Sequence, residues 1–138
     1  MELPDSVVSI GNRAFIYNQL TSVVIPDSVR RIEKYAFRGN QLTLVVIPNS
    51  VRDIGDFAFQ NNQLTSIVIS DSVRDIGQYA FRYNQLTYVE FPETLDTIGN
   101  GAFRENPNLA EVRISSQTSY VESGSSATFD SHTNITTY

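Results

Sequence analysis

The sequence predicts an α/β right-handed solenoid of five stacked 22-residue coils. A parallel strand sheet forms one face, and short 3-10 or helical turns form the other. Two observations carry this expectation. Phenylalanine recurs at an even interval, at Phe15, Phe37, Phe59, Phe81 and Phe103, with Ala14, Ala36, Ala58, Ala80 and Ala102 directly before. Ile10, Ile32, Ile54, Ile76 and Ile98 precede the Phe residues by five positions, and Asn18, Asn40, Asn62, Asn84 and Asn106 follow them by three. Neighbouring units are close copies: Pro26–Ile47 matches Pro48–Ile69 at 13 of 22 positions. A fixed period in this range marks a repeat architecture whose units bury their apolar face only by stacking.

The unit that starts at Leu42 shows how each element arises. Leu42-Thr-Leu-Val-Val-Ile47 is rich in β-branched residues and bounded by Gln41 and Pro48, the composition of a short strand. Pro48 has no amide hydrogen to offer a ladder and ends it. Asn49-Ser50 turns the chain, and Val51 and Ile54 point inward. Gly55 permits a turn, and Asp56-Phe-Ala-Phe59 reads as a short helical or 3-10 turn on the opposite wall. Asn61-Asn62 returns the chain to the next strand. Each unit thus offers about seven inward side chains, Leu42, Val45, Ile47, Val51, Ile54, Ala58 and Phe59, which stacking at about 4.8 Å joins into one column. The Asn residue of each unit is expected to satisfy backbone groups at the tight return, because an amide donates and accepts at once.

The pattern Leu64-Thr-Ser-Ile-Val-Ile69, Asp71-Ser-Val73, Ile76-Gly77, Ala80-Phe81 resembles the BspA-like (Treponema pallidum-type) leucine-rich repeats. The resemblance covers residues 3 to about 115 as five units. Two departures are visible: Asn stands in the region after the Phe where the family often has Cys, and the unit is one residue shorter than the family's common one. The resemblance implies a secreted or cell-surface protein that binds host proteins or neighbouring cells. The chain start, Met-Glu-Leu-Pro-Asp, lacks the basic and apolar regions of a signal peptide. The surface reading therefore expects a fragment of a longer secreted chain.

Residues 1–114 form the expected solenoid, and 115–138 break its pattern. Half of this last stretch is Ser or Thr. It reads either as a polar cap over the open core, with Tyr120, Val121, Phe129 and Ile135 as its apolar residues, or as a linker.

Composition excludes several functions. The chain has no Cys, hence no thiol nucleophile, disulfide or Cys-ligated metal. One Lys and nine Arg against fifteen acids give a net charge of −5, which argues against nucleic-acid binding. No apolar run approaches the roughly 20 residues of a membrane span. His132 is the only histidine and cannot form a His pair for a metal. Gly-x-Ser-x-Gly is missing, and Gly99-Asn-Gly101 lacks the context of a dinucleotide loop. Neither a catalytic constellation nor a cofactor or metal site is expected.

The strand face carries the candidate site. With Val23 and Ile25 inward, alternation turns Ser22 and Val24 out. The outward rows become Ser22, Leu44, Ser66, Tyr88, Glu111 and Val24, Val46, Val68, Glu90, Arg113. Val24, Leu44, Val46, Val68 and Tyr88 make an apolar stripe that ends in the charges Glu90, Glu111 and Arg113, and exposed apolar patches mark interaction sites. Tyr17, Gly39, Asn61 and Tyr83 form a further row near the return turn. Arg30, Arg52 and Arg74 share one phase, either as solubilising charges compensated by Asp53 and Asp75 or as a site for an acidic partner. The expected function is a non-enzymatic protein-binding or adhesion module. The alternative is a structural stalk within a larger surface protein.

Overall fold

The computed structural model describes all residues, 1–138. Its ten strands are β1 (Ser9–Ile10), β2 (Arg31–Ile32), β3 (Leu44–Ile47), β4 (Asp53–Ile54), β5 (Ser66–Ile69), β6 (Asp75–Ile76), β7 (Tyr88–Glu90), β8 (Thr97–Ile98), β9 (Glu111–Ile114) and β10 (Asn134–Thr137). All pairings are parallel. The two-residue strands form one sheet in the order β1-β2-β4-β6-β8. The longer strands form a second wall: β3 pairs β5, β5 packs beside β7, and β7 pairs β9, which pairs β10. Glu2 bridges Val24 ahead of this wall. The register joins Ile10, Ile32, Ile54, Ile76 and Ile98 into one inward column, as the even period requires.

The core is a single stack. Phe37, Phe59, Phe81 and Phe103 are fully buried, with successive rings 5.1–5.3 Å apart. Asn40, Asn62, Asn84 and Asn106 run beside them as a buried polar ladder. The Asn84 amide donates to Phe59 O and Phe81 O, both at 3.0 Å, and its Oδ1 accepts from Leu64 N at 3.0 Å. Each Asn therefore ties its own coil to the preceding one, which is the role expected from the sequence.

Two expectations are corrected. The wall opposite the long strands contains no helix. It is built from overlapping turns, in which Ala58 N bonds Gly55 O at 3.2 Å and Gln60 N bonds Phe57 O at 3.2 Å. Alternating with these donors, Phe57 N and Phe59 N bond Gln78 O and Ala80 O of the next coil, at 2.9 and 2.8 Å. Phe57 has φ +59°, and Arg13, Tyr35, Tyr79 and Gly101 share its phase and its left-handed backbone. A left-handed residue cannot continue a right-handed helix. It instead turns alternate amides toward the neighbouring coil, so stacking wins over helix formation.

The second correction is the number of coils, six rather than five. Residues 115–138 continue the winding. Ser119 bridges Thr97, the Phe129 ring stacks on Phe103 at 5.6 Å, and Phe103 N bonds Thr128 O at 2.9 Å. Asp130 takes the ladder position of Asn, its Oδ2 accepting from Asn106 N at 3.0 Å. β10 then opens a further rung beside β9. The coil escapes the repeat pattern because its spacing changes. Phe129 falls four positions later than the Phe period predicts, and Asp130 two positions later than the Asn period predicts.

Gly55 opens the turn expected of it, and Gly77 and Gly99 open the corresponding turns, their carbonyls accepting from Ala58 N, Ala80 N and Ala102 N. None has a positive φ. A Cβ at Gly77 would lie 2.5 Å from Asp56 N and 2.7 Å from Gly55 C, so these glycines let successive backbones approach. We expect Gly77→Ala to cost about 1–3 kcal/mol, read as a lower urea midpoint. An unchanged midpoint would show that the coils can separate without loss.

Candidate functional site: the long-strand face

The long strands alternate as the sequence requires. Val45, Ile47, Val89, Val112 and Ile114 are buried, and their neighbours face out. Pairing brings Leu44 opposite Ser66, Val46 opposite Val68, Tyr88 opposite Glu111 and Glu90 opposite Arg113. Val24, Leu44, Val46 and Val68 are 58, 49, 52 and 54% exposed and together line one shallow depression with Thr21, Thr43 and Ser70. Aliphatic groups so exposed, on adjacent rungs of one face, gain free energy from any partner that removes them from water, about 25 cal/mol per Å².

The stripe changes character at the fifth coil. Arg113 Nη1 lies 3.2 Å from Glu90 Oε1, and Tyr88 Oη donates to Glu90 Oε2 at 3.4 Å. Desolvation, followed by the Glu90 carboxylate, pushes the Tyr88 phenol above its ordinary value. Thr136 Oγ1 donates to Glu111 Oε1 at 3.0 Å. The exposed Glu90–Arg113 pair contributes at most about 1 kcal/mol. Its consequence is orientation, because it ties the two charged side chains to each other across adjacent strands.

Sequence reasoning missed Tyr138. The Arg113 guanidinium sits 4.9 Å from the Tyr138 ring centroid, and Tyr138 Oη donates to Phe91 O. With Asp71, Glu93 and Thr94, these residues line a second depression beside the charged end of the face. Desolvation, then Glu93 and Glu90, raises the Tyr138 phenol. The signal was present in Asn134-Ile-Thr-Thr137, whose β-branched run fits a strand. The serines before it masked it.

The other sequence candidates fall elsewhere. Arg30, Arg52 and Arg74 do stack, Arg52 N bonding Arg30 O and Arg74 N bonding Arg52 O, but the next rung is Asp96. Asp53 pairs with Arg31 at 3.3 Å and Asp75 accepts from Thr97, so neither compensates the Arg column. Tyr17 and Tyr83 are exposed at the corner after the turn wall, each with a left-handed backbone. His132 is exposed, and no group of three or more metal-ligating side chains occurs.

Parallel coils, one apolar column, an Asn ladder and an open strand face define a leucine-rich solenoid. The family model for the BspA type leucine rich repeat region matches residues 8–136 in six copies, and the chain belongs to that family. Among solved structures, it is similar to a leucine rich cell surface protein from Faecalibacterium prausnitzii A2-165, at 24% identity and TM-score 0.65. That match covers 91% of this chain and 40% of the other. It is also similar to a leucine-rich repeat protein from Bacteroides ovatus, at 17% identity and TM-score 0.50, covering 99% of this chain and 50% of the other. The chain thus spans half or less of both structures. No curated protein matches it.

Proposed function

We propose that the chain is a non-enzymatic recognition module, part of a secreted or cell-surface protein, that binds a protein partner of a host or neighbouring cell through its long-strand face. The observation that carries this reading is the cluster of half-exposed Val24, Leu44, Val46 and Val68 beside Tyr88 and the Glu90–Arg113 pair. Apolar centres with a polar edge are the anatomy of protein interfaces, and Tyr is enriched among their energetic anchors. Glu111 completes the charged edge and sets register rather than affinity. Membership in the BspA type family and the likeness to a bacterial surface protein support the location.

The test is cross-linking of the folded chain to intact host or neighbouring-bacterial cells, followed by affinity measurement on the captured protein. Val46→Asp places a charge at the centre of the stripe and is expected to weaken binding at least about tenfold, an effect of roughly 1.4 kcal/mol or more. Tyr88→Ala is expected to weaken it by a similar factor. Neither outward side chain supports the core, so the urea midpoint should move little. Normal binding by both variants would remove the strand face as the site and leave the spacer reading, in which even coils serve length and stiffness.

A further inference from the structure

We infer that the turn wall of the early coils is a second binding site, for an acidic polysaccharide, independent of the strand face. The chain holds ten cationic side chains against fifteen acids. Three of those ten gather on one ring: Arg13 at 5.2 Å, Lys34 at 5.2 Å and Arg38 at 5.5 Å from the Tyr35 centroid. Only Lys34 has a carboxylate partner, Asp56 at 3.7 Å, and the adjacent Glu33 pairs with none of them. Like charges gathered this closely repel one another. The ring face offsets part of that repulsion, and an anion would complete the set.

The wall continues this chemistry along the solenoid axis. Arg38, Gln60 and Arg82 occupy one phase on successive coils. Arg38 Nε, Gln60 Oε1 and Arg82 Nε are buried atoms without a hydrogen-bond partner, and Gln60 as a residue is only 5% exposed. Arg82 lies 4.5 Å from the Tyr83 centroid and 5.3 Å from that of Tyr79, with Glu105 at 3.6 Å. Arg38 lies 5.9 Å from the exposed Tyr17 ring. Two coils separate the guanidinium groups, about 9.6 Å at strand spacing. This is the scale of a disaccharide, so one charge every second sugar would meet Arg38 and Arg82, with the amide of Gln60 between them. The faces of Tyr17 and Tyr83 suit the C–H faces of pyranose rings.

An acidic peptide fits less well. Alternate N–H groups along this wall are spent on the next coil, as in Phe15 N to Ala36 O, Tyr17 N to Arg38 O and Gly39 N to Gln60 O. An extended peptide would find no row of backbone partners there. Recognition is left to side chains at fixed intervals, which a stiff periodic polymer satisfies.

The test is titration calorimetry of the full chain with dextran sulfate, polygalacturonate, neutral dextran and poly-glutamate, at low and high salt. The expected result is salt-sensitive binding of one or both acidic polysaccharides, none of neutral dextran, and weaker binding of poly-glutamate at matched charge. Dextran sulfate alone would assign sulfate esters as the ligand groups, and polygalacturonate would assign carboxylates. Combined Arg13→Gln, Lys34→Gln and Arg38→Gln should weaken binding about tenfold or more. Combined Arg30→Gln and Arg52→Gln, on a different wall, and Val46→Asp, on the strand face, should leave it unchanged. Absence of binding to both acidic polysaccharides, an equal loss in the Arg30/Arg52 control, or equal affinity for poly-glutamate would each overturn the inference.

Discussion

Asn84→Asp is expected to lower stability by about 2–5 kcal/mol at neutral pH, because it removes two buried hydrogen bonds, worth about 0.5–1.5 kcal/mol each, and places a carboxylate in the core. The Asn84 side chain is fully buried, and its amide donates to both Phe59 O and Phe81 O. The substitution keeps the shape and removes both donors; Phe59 O and Phe81 O keep the amides of Asn62, at 3.1 Å, and Asn106, at 3.0 Å, but each would then also face a carboxyl oxygen. Total stability of a domain is only about 5–15 kcal/mol. Burial beside two carbonyls would raise the introduced carboxyl's pKa in the folded state. The folded state then binds more protons than the unfolded one, so the deficit is smallest below pH ~4 and grows as pH rises toward about 7. Asn18→Asp is the control. Asn18 is exposed and its side chain donates only to Ile16 O, at 3.2 Å. Its change should stay within about 0.5 kcal/mol. Urea unfolding at two pH values measures both. Equal losses at the two positions would remove the ladder as a stabilising device.

Phe59→Ala is expected to cost about 3–5 kcal/mol. Phe59 lies between Phe37, at 5.3 Å and 14°, and Phe81, at 5.2 Å and 5°. Truncation opens a cavity inside a column whose wall is the stiff inter-coil backbone ladder. The loss also removes two ring pairs, worth about 0.5–1.5 kcal/mol each. Phe15 stacks on one ring only, Phe37 at 5.4 Å, and is partly exposed. Phe15→Ala should therefore cost about half as much. In a nearest-neighbour stack, the central defect also uncouples the coils on either side. The signature is a broader or two-step transition for Phe59→Ala and a single shifted one for Phe15→Ala. Matching transitions would contradict the stack.

Most of the fold was legible because a solenoid converts sequence period directly into spatial neighbours. Once Phe37, Phe59 and Phe81 recur at one interval, stacking is the sole way to bury all of them. Alternation then decides that Val46 faces out and Val45 in. The candidate stripe followed from the same rule, and Val24, Leu44, Val46 and Val68 do line one depression. The charged end was half legible: Glu90 and Arg113 share a row, but Tyr138 arrives from another coil. The turn wall was misjudged because local pattern suggests a helix while the inter-coil ladder demands left-handed residues at Tyr35, Phe57 and Tyr79. No local preference announces that demand, since bulky aromatic residues rarely adopt a positive φ.

The sequence by itself determined the coil, its period, its inward column and the outward rows of its strands, because each depends on neighbours at fixed separation. Only the tertiary structure decided the rest. It showed that the glycines serve backbone approach, and that Arg13, Lys34 and Arg38 converge on Tyr35. It also showed that residues 115–138 wind on as a sixth coil, with Asp130 at the place of Asn and Phe129 beneath Phe103. Those features depend on how one coil seats against the next. Contacts made across the stack tolerate altered spacing and altered residue type, so no period along the chain records them.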